Sequence, residues 1–148
     1  MRAFLTGLAL AMAALPAAAA LPEGAKAPAF VTTAAVGGKT TRLDLKQQLR
    51  KGPVVLYFFP KAFTKGCTLE ARAFSEAVPE FRKAGARVIG MSADSIATLK
   101  TFSVEACRRA FPVGHASPEL IREYDVEWKG QKGLTTRTSY VIGRNGRI

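Results

Sequence analysis

VVLYFFPKAFTKGCTLEARAF, residues 54–74, is the stretch on which the fold turns. It opens with six apolar, β-favouring residues, 54–59, preceded by Gly52-Pro53 and stopped by Pro60. An unbroken apolar run of this length predicts a central strand buried on both faces. Seven residues past Pro60 stands Cys67, where a short polar loop gives way to helix-forming residues running to Ser75. Thiolate is the reactive form of cysteine, and the unpaired N–H groups and positive dipole end of a helix N-terminus favour it. Gly66 has no side chain to hold a ligand away, so the N–H groups of Gly66 and Cys67 are candidates for holding a substrate oxygen. Thr64 offers a hydroxyl that donates and accepts, and it also reads as a helix N-cap. Pro60 ends the strand stiffly and can shield the sulfur from bulk water.

Working outward, Pro79 disfavours helical geometry at Val78, which predicts a break or a kink there and a second helical piece, PEFRKAG, ending at Gly85. ARVIGMSAD reads as the next strand. Asp94 or Ser95 then caps a helix predicted to run to about Arg109, with Ile96, Leu99, Phe102 and Ala106 on its apolar face and Cys107 on the shoulder. Before the central strand, FVTTAAV and KTTRLDL flank Gly37-Gly38 as a hairpin, and LKQQLRKG makes one or two helical turns. Towards the end, SPELIREY places Ser117 at an N-cap and Pro118 at the first helical position, TSYVIG is a strand, and Asn145-Gly146 is a tight turn. Strands alternating with helices predict an α/β domain built on a central mixed sheet, without internal repeats. The sequence stops just after the Asn145-Gly146 turn. A returning strand has barely begun there, which predicts an open partner edge and a truncated C-terminal end, a minimal domain being the alternative.

The chain has 148 residues, 48% of them hydrophobic, which suits one domain with a real core. Its net charge of +11 comes from 22 Lys and Arg against 11 Asp and Glu, spread along the chain without a basic block. That pattern reads as a solvated basic surface, and no interleaving of aromatic and basic residues points to nucleic acid. MRAFLTGLALAMAALPAAAA, residues 1–20, has one Arg, an apolar run and small residues before a plausible cleavage point, the layout of a secretory signal. The expectation is a mature domain over 21–148 in the periplasm or secreted, a disulfide-permissive setting. Two cysteines without a C-x-x-C, and one histidine, His115, in a loop, do not supply a thioredoxin-type dithiol or a closed metal site. No cofactor or metal is expected. Trp128, the lone tryptophan, reads as a packing residue.

The ordered series APAF, VVLYFFPKAFTKGCTLEARAF, VIGMSADS and TRTSYVIGRNGRI resembles the peroxiredoxins, and Gly before the Cys with TLEA after it resembles their bacterioferritin-comigratory, or peroxiredoxin Q, branch. The resemblance implies a thioredoxin-like fold and a thiol-dependent peroxidase. It makes Cys67 the peroxidatic cysteine, Thr64 and Pro60 its loop partners and Arg137 the distant active-site arginine. A guanidinium beside Cys67 stabilises thiolate and polarises a peroxide, and Glu70, one turn after Cys67, is placed to orient it. The implied reaction turns Cys67 into a sulfenic acid. The resolving cysteine that many members of the branch carry five residues later is Arg72 here. Either Cys107 resolves instead, its pKa lowered by Arg108 and Arg109, or an external thiol does. The implied partners are a peroxide and a thiol reductant such as a thioredoxin-like protein, with the chain a monomer or weak homodimer. A thiol–disulfide exchanger and a non-catalytic thioredoxin-fold binding module for anionic partners are the competing readings.

Overall fold

The computed structural model describes residues 20–148, so the expected signal segment, apart from Ala20, lies outside the described residues. A hairpin comes first, β1 (Val31–Val36) and β2 (Lys39–Asp44), turning at Gly37-Gly38, both with positive φ. Then follow α1 (Leu45–Lys51), β3 (Val54–Phe58), α2 (Lys65–Lys83), β4 (Arg87–Ser92), α3 (Ile96–Glu105), β5 (Val113–His115), α4 (Pro118–Glu123) and β6 (Thr138–Ile142). The strands form one mixed sheet in the order β2-β1-β5-β4-β3-β6. β3 and β5 run parallel to β4, whereas β6 is antiparallel to β3, and β1 is antiparallel to both β5 and β2.

The central-strand expectation holds, because every residue of β3 is buried. Successive side chains of a strand point to opposite faces. Val54, Leu56 and Phe58 accordingly join a cluster with Leu45, Leu49, Leu120 and Ile121, under α1 and α4. Val55, Tyr57 and Phe59 join the opposite cluster with Ala71, Val78, Leu99 and Phe102, under α2 and α3. β3 thus lies between two cores, and the loop leading to Cys67 leaves from its C-terminal end.

Three expectations are corrected. The helix after Cys67 does not break at Pro79: α2 is one continuous helix of 19 residues with Pro79 inside it. Pro79 is exposed, so the carbonyl that loses its N–H partner can turn to water, while Val78 is buried and anchors the crowded position in the core. The helix stops where Gly85, at φ +75°, donates to the Arg82 carbonyl and Ala86 donates to that of Phe81. Second, α3 ends at Glu105, not near Arg109. Arg108 and Arg109 both take left-handed φ, 50° and 60°, and Cys107 turns into the core. Third, Trp128 does not pack the domain: it is 40% exposed, on a loop closed by pairing of Glu127 with Thr135.

Past Asn145-Gly146 the chain does return, and Arg147 pairs antiparallel with Lys26, flanked by hydrogen bonds from Gly24 to the Ile148 carbonyl and from Ile148 to the Ala25 carbonyl. The lead-in segment thus meets the chain beyond the turn, while β6 itself stays at the edge of the sheet, paired among the described residues with β3 alone. No helix among the described residues is long and apolar enough to cross a membrane.

Candidate active site

Helix N-termini leave backbone N–H groups unpaired, and a side-chain oxygen at the N-cap normally takes one of them. Three helices here follow that rule. Asp44 accepts from the Gln47 N–H, Ser95 from that of Thr98 and Ser117 from that of Leu120. α2 does not. Thr64 occupies its N-cap position, but the hydroxyl donates backwards to the Lys61 carbonyl at 3.0 Å. The N–H groups of Lys65, Gly66 and Cys67 are left without a capping side chain at the start of the longest helix.

Cys67 lies in this first turn, 2% exposed. Arg137, one residue before β6, reaches it because β6 pairs with β3 so that Thr138 stands opposite Phe58. Its Nη2 donates to Cys67 Sγ at 3.4 Å, and its Nη1 donates to the Glu70 carboxylate. The structure therefore brings together Cys67, Glu70, Arg137 and the N–H groups of Gly66 and Cys67. A Cβ added to Gly66 would meet Arg137 Nη2 at 3.2 Å, so the absence of a side chain there leaves room for the guanidinium.

Thr64 and Pro60 stand in the same loop, but no hydrogen bond joins the Thr64 hydroxyl to Cys67, because the hydroxyl is committed to Lys61. Cys107 is not brought to the site as an exposed thiol. It is 0% exposed, and burial pushes its pKa up to about 12. Arg108 and Arg109 do not offset this, since Arg108 pairs with Glu76 at 3.2 Å and Arg109 donates to the Gly37 carbonyl at 3.1 Å. Burial raises the Glu70 carboxyl from its usual range against the lowering pull of Arg137. For Arg137, burial acts downwards, but Glu70 and Cys67 outweigh it and hold the guanidinium charged.

Two buttresses of the loop were not anticipated. The Asp94 carboxylate accepts from the Ala62 N–H and the Ser92 hydroxyl, both at 2.8 Å, pinning the loop to the end of β4. The buried Thr135 hydroxyl donates to the Phe59 carbonyl at 2.8 Å, holding the other side. Asp94 beside Ser95 had the signature of a helix cap, and only Ser95 serves as one. Among the described residues no cluster of His, Cys, Asp and Glu could hold a metal ion. His115 ends β5 rather than lying in a loop, with Nδ1 2.9 Å from the Asp94 carbonyl.

The sequence profile of the AhpC/TSA family matches residues 24–148, which takes in every residue of this site. The chain belongs to the AhpC/TSA family. It is 34% identical to the chloroplastic peroxiredoxin Q of Suaeda salsa over 88% of its length and 59% of that protein's. It is 42% identical to peroxiredoxin Bcp of Xanthomonas campestris pv. campestris over 64% of its length and 62% of that protein's. The chain spans between 50% and 62% of the length of such curated relatives. The crystal structure of peroxidoxin BcpB from Mycobacterium tuberculosis superposes with a TM-score of 0.75 at 29% identity, covering 85% of this chain and 81% of that one. The thioredoxin-like fold of this AhpC/TSA member is the one its sequence led us to expect.

Proposed function

We propose that the protein is a thiol-dependent peroxidase in which Cys67 is the peroxidatic residue. The observation that carries this reading is the Arg137 guanidinium, shared between Cys67 Sγ and Glu70 beside the uncapped start of α2. The Cys67 thiolate attacks the terminal oxygen of a hydroperoxide. The O–O bond breaks, the other oxygen leaves as alkoxide or hydroxide and takes a proton from solvent, and Cys67 becomes a sulfenic acid. Arg137 and the N–H groups of Gly66 and Cys67 hold the two oxygens while charge moves between them. Glu70 fixes the guanidinium, Pro60 and Thr64 shape the loop, and a small rotation lets the Thr64 hydroxyl meet a bound peroxide. Membership of the AhpC/TSA family and the similarity to proteins named peroxiredoxin support this reading. Residues 1–20 would direct export, leaving a mature domain from residue 21.

For the second half of the cycle, Cys107 is the intramolecular candidate. Its burial requires the turn after α3 to open before it meets the Cys67 sulfenic acid. The same burial favours a second reading, a one-cysteine peroxidase reduced by an external thiol. Intact mass after one equivalent of hydrogen peroxide separates them. Loss of two hydrogens, with a trapped sulfenic acid in Cys107→Ser, supports internal resolution; a sulfenic acid in the wild type supports the external route. Oxidation no faster than a free thiol and unaffected by Cys67→Ser would overturn the peroxidase assignment.

A further inference from the structure

We propose that a cavity at the end of the sheet opposite Cys67 binds a medium-length, single-chain carboxylate, its head among three cations and its tail on the edge of the core. The inference does not depend on the peroxidase reading. The cavity has a volume of about 350 Å³, within the range that takes a small ligand. Four parts of the chain wall it: the end of α1, the last turns of α2, the start of β4 and residues 110–112 ahead of β5. β3 and β4 run parallel, and Arg87 pairs with Val54 where both begin. The cavity therefore lies at the far end from the loop that carries Cys67. Its floor is the core itself. Val78, Val88 and Phe111 belong to the buried cluster on the α2 and α3 face, and half-buried Phe81 packs against that cluster.

Charge says what the head of the ligand must be. Lys51, Arg82 and Arg87 line the cavity, all three exposed, and no carboxylate lines it. None of the three takes part in an ion pair among the described residues. The carboxylates in the same half of α2 are engaged elsewhere, Glu76 with Arg108 and Glu80 with Lys83. Lys51 and Arg82 stand in the last turns of α1 and α2, where positive charge complements the helix dipole, but Arg87 begins a strand and has no dipole to complement. Three uncompensated cations round an apolar floor fit an anion with an apolar body, and a guanidinium matches a carboxylate with two parallel hydrogen bonds. A single flexible tail enters a cavity of this size, whereas a folded partner does not.

Occupancy of the cavity bears on Cys107. Ala110 and Phe111 form part of its wall and follow directly on the left-handed corner at Arg108 and Arg109, and the Ala110 N–H donates to the Cys107 carbonyl at 2.9 Å. A turn that opens to expose Cys107 carries this wall away. A carboxylate that binds only the closed form therefore keeps Cys107 buried by mass action.

The test titrates the reduced mature chain with sodium decanoate, below its micelle-forming concentration, in a calorimeter, with octanoate, 1-decanol and decyltrimethylammonium beside it. Decanoate should bind once per chain and about tenfold more tightly than octanoate, the scale of burying two more methylenes. 1-Decanol and decyltrimethylammonium, which lack the negative head, should bind at least tenfold more weakly than decanoate. Arg82→Gln/Arg87→Gln should weaken decanoate at least tenfold. Lys129→Gln/Lys132→Gln removes the same charge from the loop tied to the other end of the sheet and should leave the affinity as in the wild type. At ten times its Kd, decanoate should slow iodoacetamide labelling of Cys107 about tenfold. The proposal is overturned if 1-decanol binds as tightly as decanoate, if the two pairs of substitutions act alike, or if Cys107 labels at an unchanged rate with decanoate saturating. Several decanoates bound per chain, with no dependence on the two arginines, would overturn it as well, since that is adsorption to a basic surface.

Discussion

The two cysteines of this chain lie in the same apolar cluster on one face of the sheet, 2% and 0% exposed, and have almost nothing else in common. Cys67 sits in the first turn of a helix whose N-cap hydroxyl faces elsewhere, with a guanidinium donating to its sulfur at 3.4 Å. Cys107 sits past the end of a helix, its backbone N–H bound to the Phe102 carbonyl. Burial pushes its thiol up to about 12. Burial alone silences a thiol, whereas burial beside a cation and unpaired donors prepares one for reaction. Distance along the chain is no guide to which charges count. Arg108 and Arg109 adjoin Cys107 and point away from it, while Arg137, 70 residues from Cys67, touches it.

The sharpest way to break this contrast is alkylation. Burial lifts the Cys107 thiol from the ordinary 9.0 to about 12. Each unit lowers the thiolate fraction about tenfold, so iodoacetamide near neutral pH should label Cys107 roughly a thousandfold more slowly than an unperturbed cysteine. Peptide mass spectrometry over a time course reads this directly, and comparable labelling of the two cysteines would abolish the distinction. The next largest effect belongs to Arg137. Arg137→Met should lower the second-order rate of Cys67 oxidation by peroxide about a hundredfold, the scale of losing one preorganised charge-stabilising group. Arg137→Lys should restore only part of it, since a single ammonium cannot repeat the fork that joins Cys67 to Glu70. A stopped-flow rate within twofold of wild type in Arg137→Met would remove this residue from the mechanism.

Local features of both regions were legible in the sequence; what joins them was less so. The apolar run of β3, the Gly37-Gly38 turn and the cap Ser117 all depend on neighbouring residues and stand where the sequence placed them, whereas for α3 the sequence left Asp94 or Ser95 open and the structure selects Ser95. Arg137 was found only through the resemblance to a family, because its contact with Cys67 depends on the pairing of β6 with β3. Helix ends were misjudged where tertiary packing overrode local preference. Buried Val78 carries α2 through Pro79, and contacts of Arg108 with Glu76 and of Arg109 with the β1–β2 turn hold a left-handed corner that ends α3 early. Thr64 looked like a cap because its type and position are those of one, and no sequence pattern shows a hydroxyl turned the other way.

Two smaller effects test the silent side of the comparison. In the unfolded chain Cys107 ionises near 9.0, in the folded chain near 12. Between those values the unfolded chain has released a proton that the folded chain keeps, so this contribution to stability is intact below about pH 9 and is lost as pH rises through the window. Cys107→Ala should flatten the fall in unfolding free energy from about pH 9 to 10 by about 1 kcal/mol per unit. The slope is the readout, because the methyl-sized cavity shifts all pH values equally; an unchanged slope would mean that Cys107 does not titrate as a buried thiol. The last substitution concerns Tyr57, in the same cluster as both cysteines. Its ring stacks on Phe74 at 4.2 Å and fits against Gly90, where an added Cβ would stand 2.9 Å from it. Its hydroxyl is the one buried side-chain polar atom among the described residues without a hydrogen-bond partner. A buried hydroxyl without a partner forfeits its hydration and gains nothing in return. Tyr57→Phe keeps the stacking and removes that penalty, so the variant should be as stable as the wild type or more stable by up to about 1 kcal/mol in urea. A loss of stability would show that the hydroxyl is satisfied after all, and that this core is less apolar around Cys107 than burial alone implies.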